Sequence, residues 1–441
     1  MSKGALSKGV NSLTLVLICV LSFSLRLFSV VKYESVIHEF DPYFNYRVTK
    51  FLSENGFYSL WNWFDDQTWY PLGRVIGGTV YPGLIYTAGV MYKVLHFLNI
   101  PIHVQEVCVF TAPLFSALCA LACYGLVRQA RGPSAALLAA LFMGTVPTYM
   151  SRSVGGSYDN EGVAIFALVN CFYRFVKAVN TGTLLDAMFL CLAYLYMVMS
   201  WGGYSFVINL IPLYALVMIV FGRMSARLYI AFAPLVAIGT LCACSIPVVG
   251  FNAVLMSEHF GSFLVFGVMH VYLFIGFIRR RLSRRHFQTL LIAVLLLAVA
   301  VFAFAVLTIA AYVLKSPTLG WTGRSMTLLD PTYASRFVPI IASVSEHQPT
   351  QWSSYLTDLH ILVTFAPLGL ISCIRTSSDA TFFLVMYGLT AAYFSGVMIR
   401  LMLVLGPAVC CLAAVGISDI LNIAFASVKG MSLSMDLLGE E

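Results

Sequence analysis

Runs of about twenty apolar residues separated by short polar loops constrain this chain more than any other feature. A segment that long and that apolar can cross a bilayer as a helix, because a helix satisfies its own backbone hydrogen bonds. About twelve stretches qualify: 12–31, 104–127, 134–150, 161–178, 184–200, 204–221, 228–249, 259–278, 288–314, 357–374, 380–398 and 401–424. A weaker run, Tyr81–Leu98, carries Lys93 and His96 and reads as an interfacial or re-entrant helix. The expected fold class is therefore an all-α polytopic membrane protein. Composition agrees: 10% of residues are charged, against about a quarter in a soluble domain. The first run, Leu13–Val31, is too long for a signal-peptide core and lacks a small-residue cleavage site, so it reads as an uncleaved span.

Lys and Arg set the orientation. Lys3, Lys8, Arg128, Arg131, Arg174, Lys177, Arg223, Arg227, Arg279, Arg280, Arg281, Arg284, Arg285 and Arg375 all fall on one side of a twelve-span count. That side is expected to be cytoplasmic, with the amino terminus. The segments 32–103 and 315–356 then face away from the cytosol, with Trp61, Trp63 and Trp69 as interfacial anchors and 315–356 as a lid. Residues 425–441 read as a cytoplasmic tail. The net charge of +7 lies in loops between spans, which points to membrane orientation and not to a nucleic-acid partner. The eleven cysteines lie in or beside apolar runs and none has zinc-ligand spacing.

Charged groups at the edge of a span cost free energy unless solvated, paired or bound. Four acids stand out, in three loops expected on the non-cytoplasmic face. Asp41, in H-E-F-D-P-Y-F-N-Y-R, either caps a surface helix or serves as a metal ligand or base. Asp159 and Glu161, in S-R-S-V-G-G-S-Y-D-N-E-G (Ser151–Gly162), either cap the span that follows or offer oxygens to a hard divalent cation. Glu346, in S-V-S-E-H-Q-P, is a solvated loop acid or part of a lid that orders on a ligand. Arg400 opens the last span in an apolar neighbourhood. It either pairs with one of these carboxylates or meets a phosphate of an amphiphilic ligand. Trp201, Gly202, Gly203 and Tyr204 form a turn on the same face, where interfacial anchoring competes with a role at the site.

These segments, with W-G-G-Y, S-V-S-E-H-Q-P-T-Q-W and V-M-I-R-L-M-L, resemble in order the catalytic subunit of eukaryotic oligosaccharyltransferase, from about Arg26 to Ser418. The resemblance implies a GT-C type glycosyltransferase transmembrane domain over residues 1–424, in the endoplasmic reticulum membrane, with a luminal active site. It implies en bloc transfer of an oligosaccharide from dolichyl diphosphate to the Asn amide of Asn-x-Ser/Thr, beside other oligosaccharyltransferase subunits. Carried onto this chain, Asp41, Asp159 and Glu161 would hold Mn²⁺ or Mg²⁺. Asp41 and Glu346 would bond the acceptor amide, and Arg400 would meet the donor diphosphate. Trp201, Tyr204 and His347 would belong to the donor or acceptor surroundings.

The family continues through one more span into a luminal domain whose W-W-D motif reads the sequon hydroxyl. The six Trp residues here are never adjacent, so that domain is expected to be missing from this chain. Two other readings stand beside the first. One is a truncated or inactive donor-binding or assembly subunit. The other is a different dolichyl-phosphate-sugar-dependent protein glycosyltransferase, against which the Asp159-Asn160-Glu161 and Ser345–Pro349 motifs argue.

Overall fold

The computed structural model describes residues 3–283 and 339–428 without a break, together with scattered positions between 285 and 337. The expected ninth span (288–314), the start of the lid (315–335) and residues 429–441 of the tail lie wholly or largely outside the described residues.

Nearly every element is a helix. The chain opens with α1 (Lys3–Leu25) and α2 (Phe28–Tyr33), which together make one apolar span, then α3 (Phe40–Asn55) and α4 (Pro82–Phe97). Next come α5 (Val104–Arg131), α6 (Pro133–Thr145), α7 (Asn160–Thr181), α8 (Leu184–Ser200) and α9 (Tyr204–Val220). They are followed by α10 (Ala226–Cys244, with a π turn inside), α11 (Phe260–Arg279), α12 (Trp352–Leu359), α13 (Leu362–Thr376), α14 (Asp379–Val397) and α15 (Met402–Val428).

Among the described residues seven helices are long and apolar enough to cross a membrane, and the pair α12–α13, bent by 87°, counts as an eighth if it is one span. The shorter apolar helices α6, α8 and α9 coincide with three further expected spans. Thus eleven of the twelve expected stretches fall on helices among the described residues.

The core is built round α7, which is buried along most of its length among α5, α8, α10 and α14. Ile165, Leu168, Phe172 and Phe175 form its buried face, while Asn170, Arg174 and Lys177 lie on the opposite side. A second tight contact joins α13 to α15. A Cβ on Gly369 would stand 1.8 Å from the Leu412 carbonyl oxygen, so glycine there sets how closely the two backbones approach. By contrast α11 and one face of α1 leave large apolar side chains exposed, as lipid-facing helices do.

Residues 32–103 fold more fully than a loop lying on a membrane. Helices α3 and α4 pack together, and Phe64–Asp65 pairs antiparallel with Arg74–Val75. Two of the three expected tryptophan anchors serve this small core. Trp63 stacks on Phe51 at 3.8 Å and Trp61 meets Tyr86 edge-on at 5.8 Å, which leaves Trp69 exposed. The apolar side chains of α3 and α4 supply a nearer apolar surface than the bilayer.

Candidate functional site

Chain direction alternates through the bundle, so the same end collects the start of α7, the end of α14 and the start of α15. The acids lie there, and the local sequence explains how. Asp159 is the N-cap of α7, its Oδ1 accepting from the Asn160 N–H at 2.6 Å. Glu161 follows in the first turn, where the helix N-terminus favours negative charge. Upstream, Gly156 has φ +95°, and a Cβ on it would stand 2.3 Å from the Val36 carbonyl oxygen. Only glycine admits that contact, which lets segment 36–41 run beside 154–159, with the His38 N–H donating to the Gly156 carbonyl at 3.1 Å. Asp41 sits exposed in the first turn of α3, near enough to Asp159 to act on its charge. It makes no capping bond; α3 begins one residue earlier, after Glu39 at φ +70°.

Glu161 is 1% exposed and lies between two guanidiniums. Arg400 Nε donates to its Oε1 at 3.0 Å, and Arg152 Nε stands 3.3 Å from its Oε2. The same two arginines reach Glu346: Arg152 Nη2 donates to Oε1, and Arg400 Nη1 stands 3.8 Å from Oε2. The four side chains therefore alternate in sign round a ring. The segment carrying Glu346 is docked in place, since its Gln348 carbonyl accepts from the Ile399 N–H at 3.0 Å and Tyr355 Oη meets Ser395 Oγ at 2.9 Å. Further along, the Asp358 carbonyl accepts from Thr148 Oγ1 at 2.8 Å. Beside the ring opens a cavity of about 270 Å³, lined by Arg152, Glu346, Asp358 and Arg400 among others.

The charges differ in state. Burial pushes the Asp159 carboxyl up, and with Glu161 and Asp41 as like-charged neighbours it reaches about 6. Burial also acts on Glu346, but its hydrogen bond to Arg152 and the charges of Arg152, Arg400 and His347 outweigh it and hold the carboxyl below its ordinary value. Arg152 is stabilised in its charged form, the neighbouring carboxylates overcoming its own desolvation.

The donors in this region are oxygens, which suits a hard divalent cation by type. Asn160 Oδ1 is buried without a hydrogen-bond partner, Glu161 Oε2 has no hydrogen bond but keeps its 3.3 Å ion pair with Arg152, and Asp159 sits in a field that favours added positive charge. No three His, Cys, Asp or Glu side chains close round one point among the described residues.

Trp201 and Tyr204 lie in the turn between α8 and α9. The Trp201 ring covers Gly203, and Tyr204 is buried and stacked on His259 at 5.5 Å. The structure thus brings Asp159, Glu161, Glu346 and Arg400 together, with Asp41 beside them and His347 next to Glu346. Two lining residues were not singled out from sequence. Arg152 carried a signal: it is a cation on a face otherwise marked by acids, outside the Lys and Arg that the span count places on the other side. Asp358 carried a weaker one, as an acid at the very start of the expected span 357–374.

Comparison with known proteins identifies the lineage of this arrangement. Residues 11–413 match the family described as Oligosaccharyl transferase STT3, N-terminal. The chain is 58% identical over 416 residues to a dolichyl-diphosphooligosaccharide–protein glycosyltransferase subunit STT3A of Oryza sativa, covering 94% of this chain and 53% of the relative. It is 52% identical over 403 residues to an STT3B subunit of Arabidopsis thaliana, covering 91% and 54%. The chain therefore spans about half the length of the curated relatives it matches. Its fold is similar to that of an archaeal oligosaccharyltransferase, AglB from Archaeoglobus fulgidus, solved with an inhibitory peptide and a dolichol-phosphate. The TM-score is 0.72 at 16% identity, over 97% of this chain and 53% of that one.

Proposed function

Given that the chain belongs to the STT3 oligosaccharyl transferase family, we propose that it carries the donor-binding and bond-forming half of N-glycosylation. The reaction is en bloc transfer of an oligosaccharide from dolichyl diphosphate to the Asn amide of Asn-x-Ser/Thr. The observation that carries this is the ring Arg152–Glu161–Arg400–Glu346 beside a cavity. Two guanidiniums at one cavity suit the oxygens of a diphosphate, and acids around them suit an amide N–H.

In this reading the new bond joins the amide nitrogen to the anomeric carbon. The anomeric C–O bond breaks with its electron pair on the departing dolichyl diphosphate, and one amide proton passes to a carboxylate that accepts its N–H bond, Asp41 or Glu346. An amide nitrogen is a poor nucleophile because its lone pair is delocalised. Asp41 and Glu346 accept its N–H bonds and weaken that delocalisation. Glu346 suits the task because it is held ionised. Arg400 and Arg152 stabilise charge on the departing diphosphate. Asp41, Asp159 and Glu161 hold Mn²⁺ or Mg²⁺, which supplies further stabilisation of the leaving group's charge when bound. The acidic end of the bundle faces the lumen of the endoplasmic reticulum and the amino terminus faces the cytosol. Other oligosaccharyltransferase subunits accompany the chain in the membrane.

The test is a transfer assay with the full-length protein carrying this chain, a dolichyl diphosphate oligosaccharide and an Asn-x-Thr peptide. Glycopeptide should form with Mn²⁺ or Mg²⁺ and stop with a chelator. Transfer that is indifferent to chelation removes the metal from the scheme, and no transfer under any divalent cation removes the activity.

A further inference from the structure

Arg26 stands where the first span breaks between α1 and α2. Its side chain is 0% exposed. A charge inside a helix bundle is costly, and a well-packed apolar side chain would cost less for packing alone. Arg26 has no carboxylate among its described partners. Its Nε donates to Ser153 Oγ at 2.6 Å, and its Nη1 donates to the Ser22 and Gly144 carbonyls at 2.9 and 2.8 Å. The guanidinium carbon lies 5.3 Å from the centre of the Tyr149 ring, and Nη2 is buried without a hydrogen-bond partner.

Its partners bracket the acidic turn from both sides. Upstream, the Arg26 carbonyl accepts from the Gly155 N–H at 2.9 Å, and Ser29 Oγ donates to the Gly155 carbonyl at 2.7 Å. Ser153, held by the guanidinium, adjoins Arg152. Downstream, Tyr149, which lies against the guanidinium, donates from Oη to the Gly162 carbonyl at 2.7 Å. Gly162 follows Glu161. Residue 153 is thus bonded to the guanidinium directly and residue 162 is tied to it through Tyr149, with Asp159 and Glu161 between them.

We propose that Arg26 is a positioning residue for this turn: it fixes Arg152, Asp159 and Glu161 relative to one another. This rests on the reading of the turn as a cation- and donor-binding element only for its consequence in binding. The geometric part stands without it. A lysine keeps the charge but cannot engage Ser153 and Gly144 as a fork.

The experiment compares Arg26→Lys with Arg131→Lys, an ion-pair cation at the opposite end of the bundle, in the full-length protein in its membrane complex. In Arg26→Lys, amide hydrogen exchange over 153–162 is expected to rise about tenfold while exchange near 372–380 stays unchanged. Mn²⁺ affinity, read by electron paramagnetic resonance, is expected to fall about tenfold in Arg26→Lys and not in Arg131→Lys. Unchanged exchange over 153–162, or an equal rise at both ends, overturns the proposal. A wild-type protein that takes no Mn²⁺ overturns the metal reading instead, and the exchange result still decides the role of Arg26. Should Arg26→Lys not fold, Ser153→Ala removes the Nε acceptor together with the Ser153 Oγ donation to the Tyr149 carbonyl. It is expected to give the same local pattern at about threefold, and no local change there overturns the proposal.

Discussion

At one end of the bundle Arg131 meets Asp419 at 2.6 Å, Arg223 meets Asp379 at 2.7 Å and Lys177 meets Asp186 at 3.0 Å. Each cation has one acid on another helix, and the pairs are partly exposed. At the other end Glu161 is buried between two arginines that also reach Glu346, with Asp159 and Asp41 beside them. The first arrangement staples neighbouring helices and adds little stability per pair. The second gathers more acid than packing requires and leaves one carboxyl with a raised pKa. Excess charge of one sign in a half-buried place is what a cation or an N–H donor would relieve. One end is built for structure, and the other is where the proposed chemistry would sit.

The largest expected effect lies at the acidic end. Asp159→Ala should lower transfer on the order of a hundredfold or more, measured as glycopeptide formed per unit of folded protein. Near-normal transfer would remove Asp159 from the scheme.

Glu161→Gln separates packing from chemistry at that end. Removing the buried partner leaves Arg152 and Arg400 facing an uncharged amide, a loss of about 3 kcal/mol that should appear as a lowered thermal midpoint. No shift would mean that water already screens the ring.

The pH dependence sharpens the contrast further. The raised Asp159 carboxyl is protonated below about 6, so a proton competes there with a divalent cation. Mn²⁺ affinity should fall about tenfold per pH unit below that value. In the metal-free protein the sign reverses. The contribution of Asp159 to stability is present below its ordinary pKa and is lost as pH rises through about 6. Affinity that is flat between pH 7 and 5 would contradict the first statement, and a metal-free thermal midpoint that is flat between pH 4 and 7 would contradict the second.

The smallest effect belongs to the stapled end. Asp419→Asn should cost about 0.5 kcal/mol in thermal stability and leave the pH dependence of metal affinity unchanged.

Spans were legible in the sequence because apolar length is a local property, and eleven stretches fall on helices for that reason. The collection of the acids at one end follows from alternating chain direction, which a span count also supplies. What the sequence could not supply was pairing across the chain. Arg152 and Glu346 are 194 residues apart, and nothing in either local pattern points to the other. Arg26 was legible only as a polar interruption of an apolar run; its burial depends on Ser153, Gly144 and Tyr149, which come from other segments. The small core of 32–103 was not legible because its apolar residues are divided among short elements, which become a core only when α3 meets α4.

The most direct measurement is transfer by the full-length protein carrying Glu346→Gln set beside the same protein carrying Asp419→Asn, each normalised to folded material. The account predicts that Glu346→Gln loses on the order of a hundredfold while Asp419→Asn transfers at close to the wild-type rate. Near-wild-type transfer by Glu346→Gln, or an equal loss in both variants, would contradict the division of the molecule into a stapled end and a reacting end.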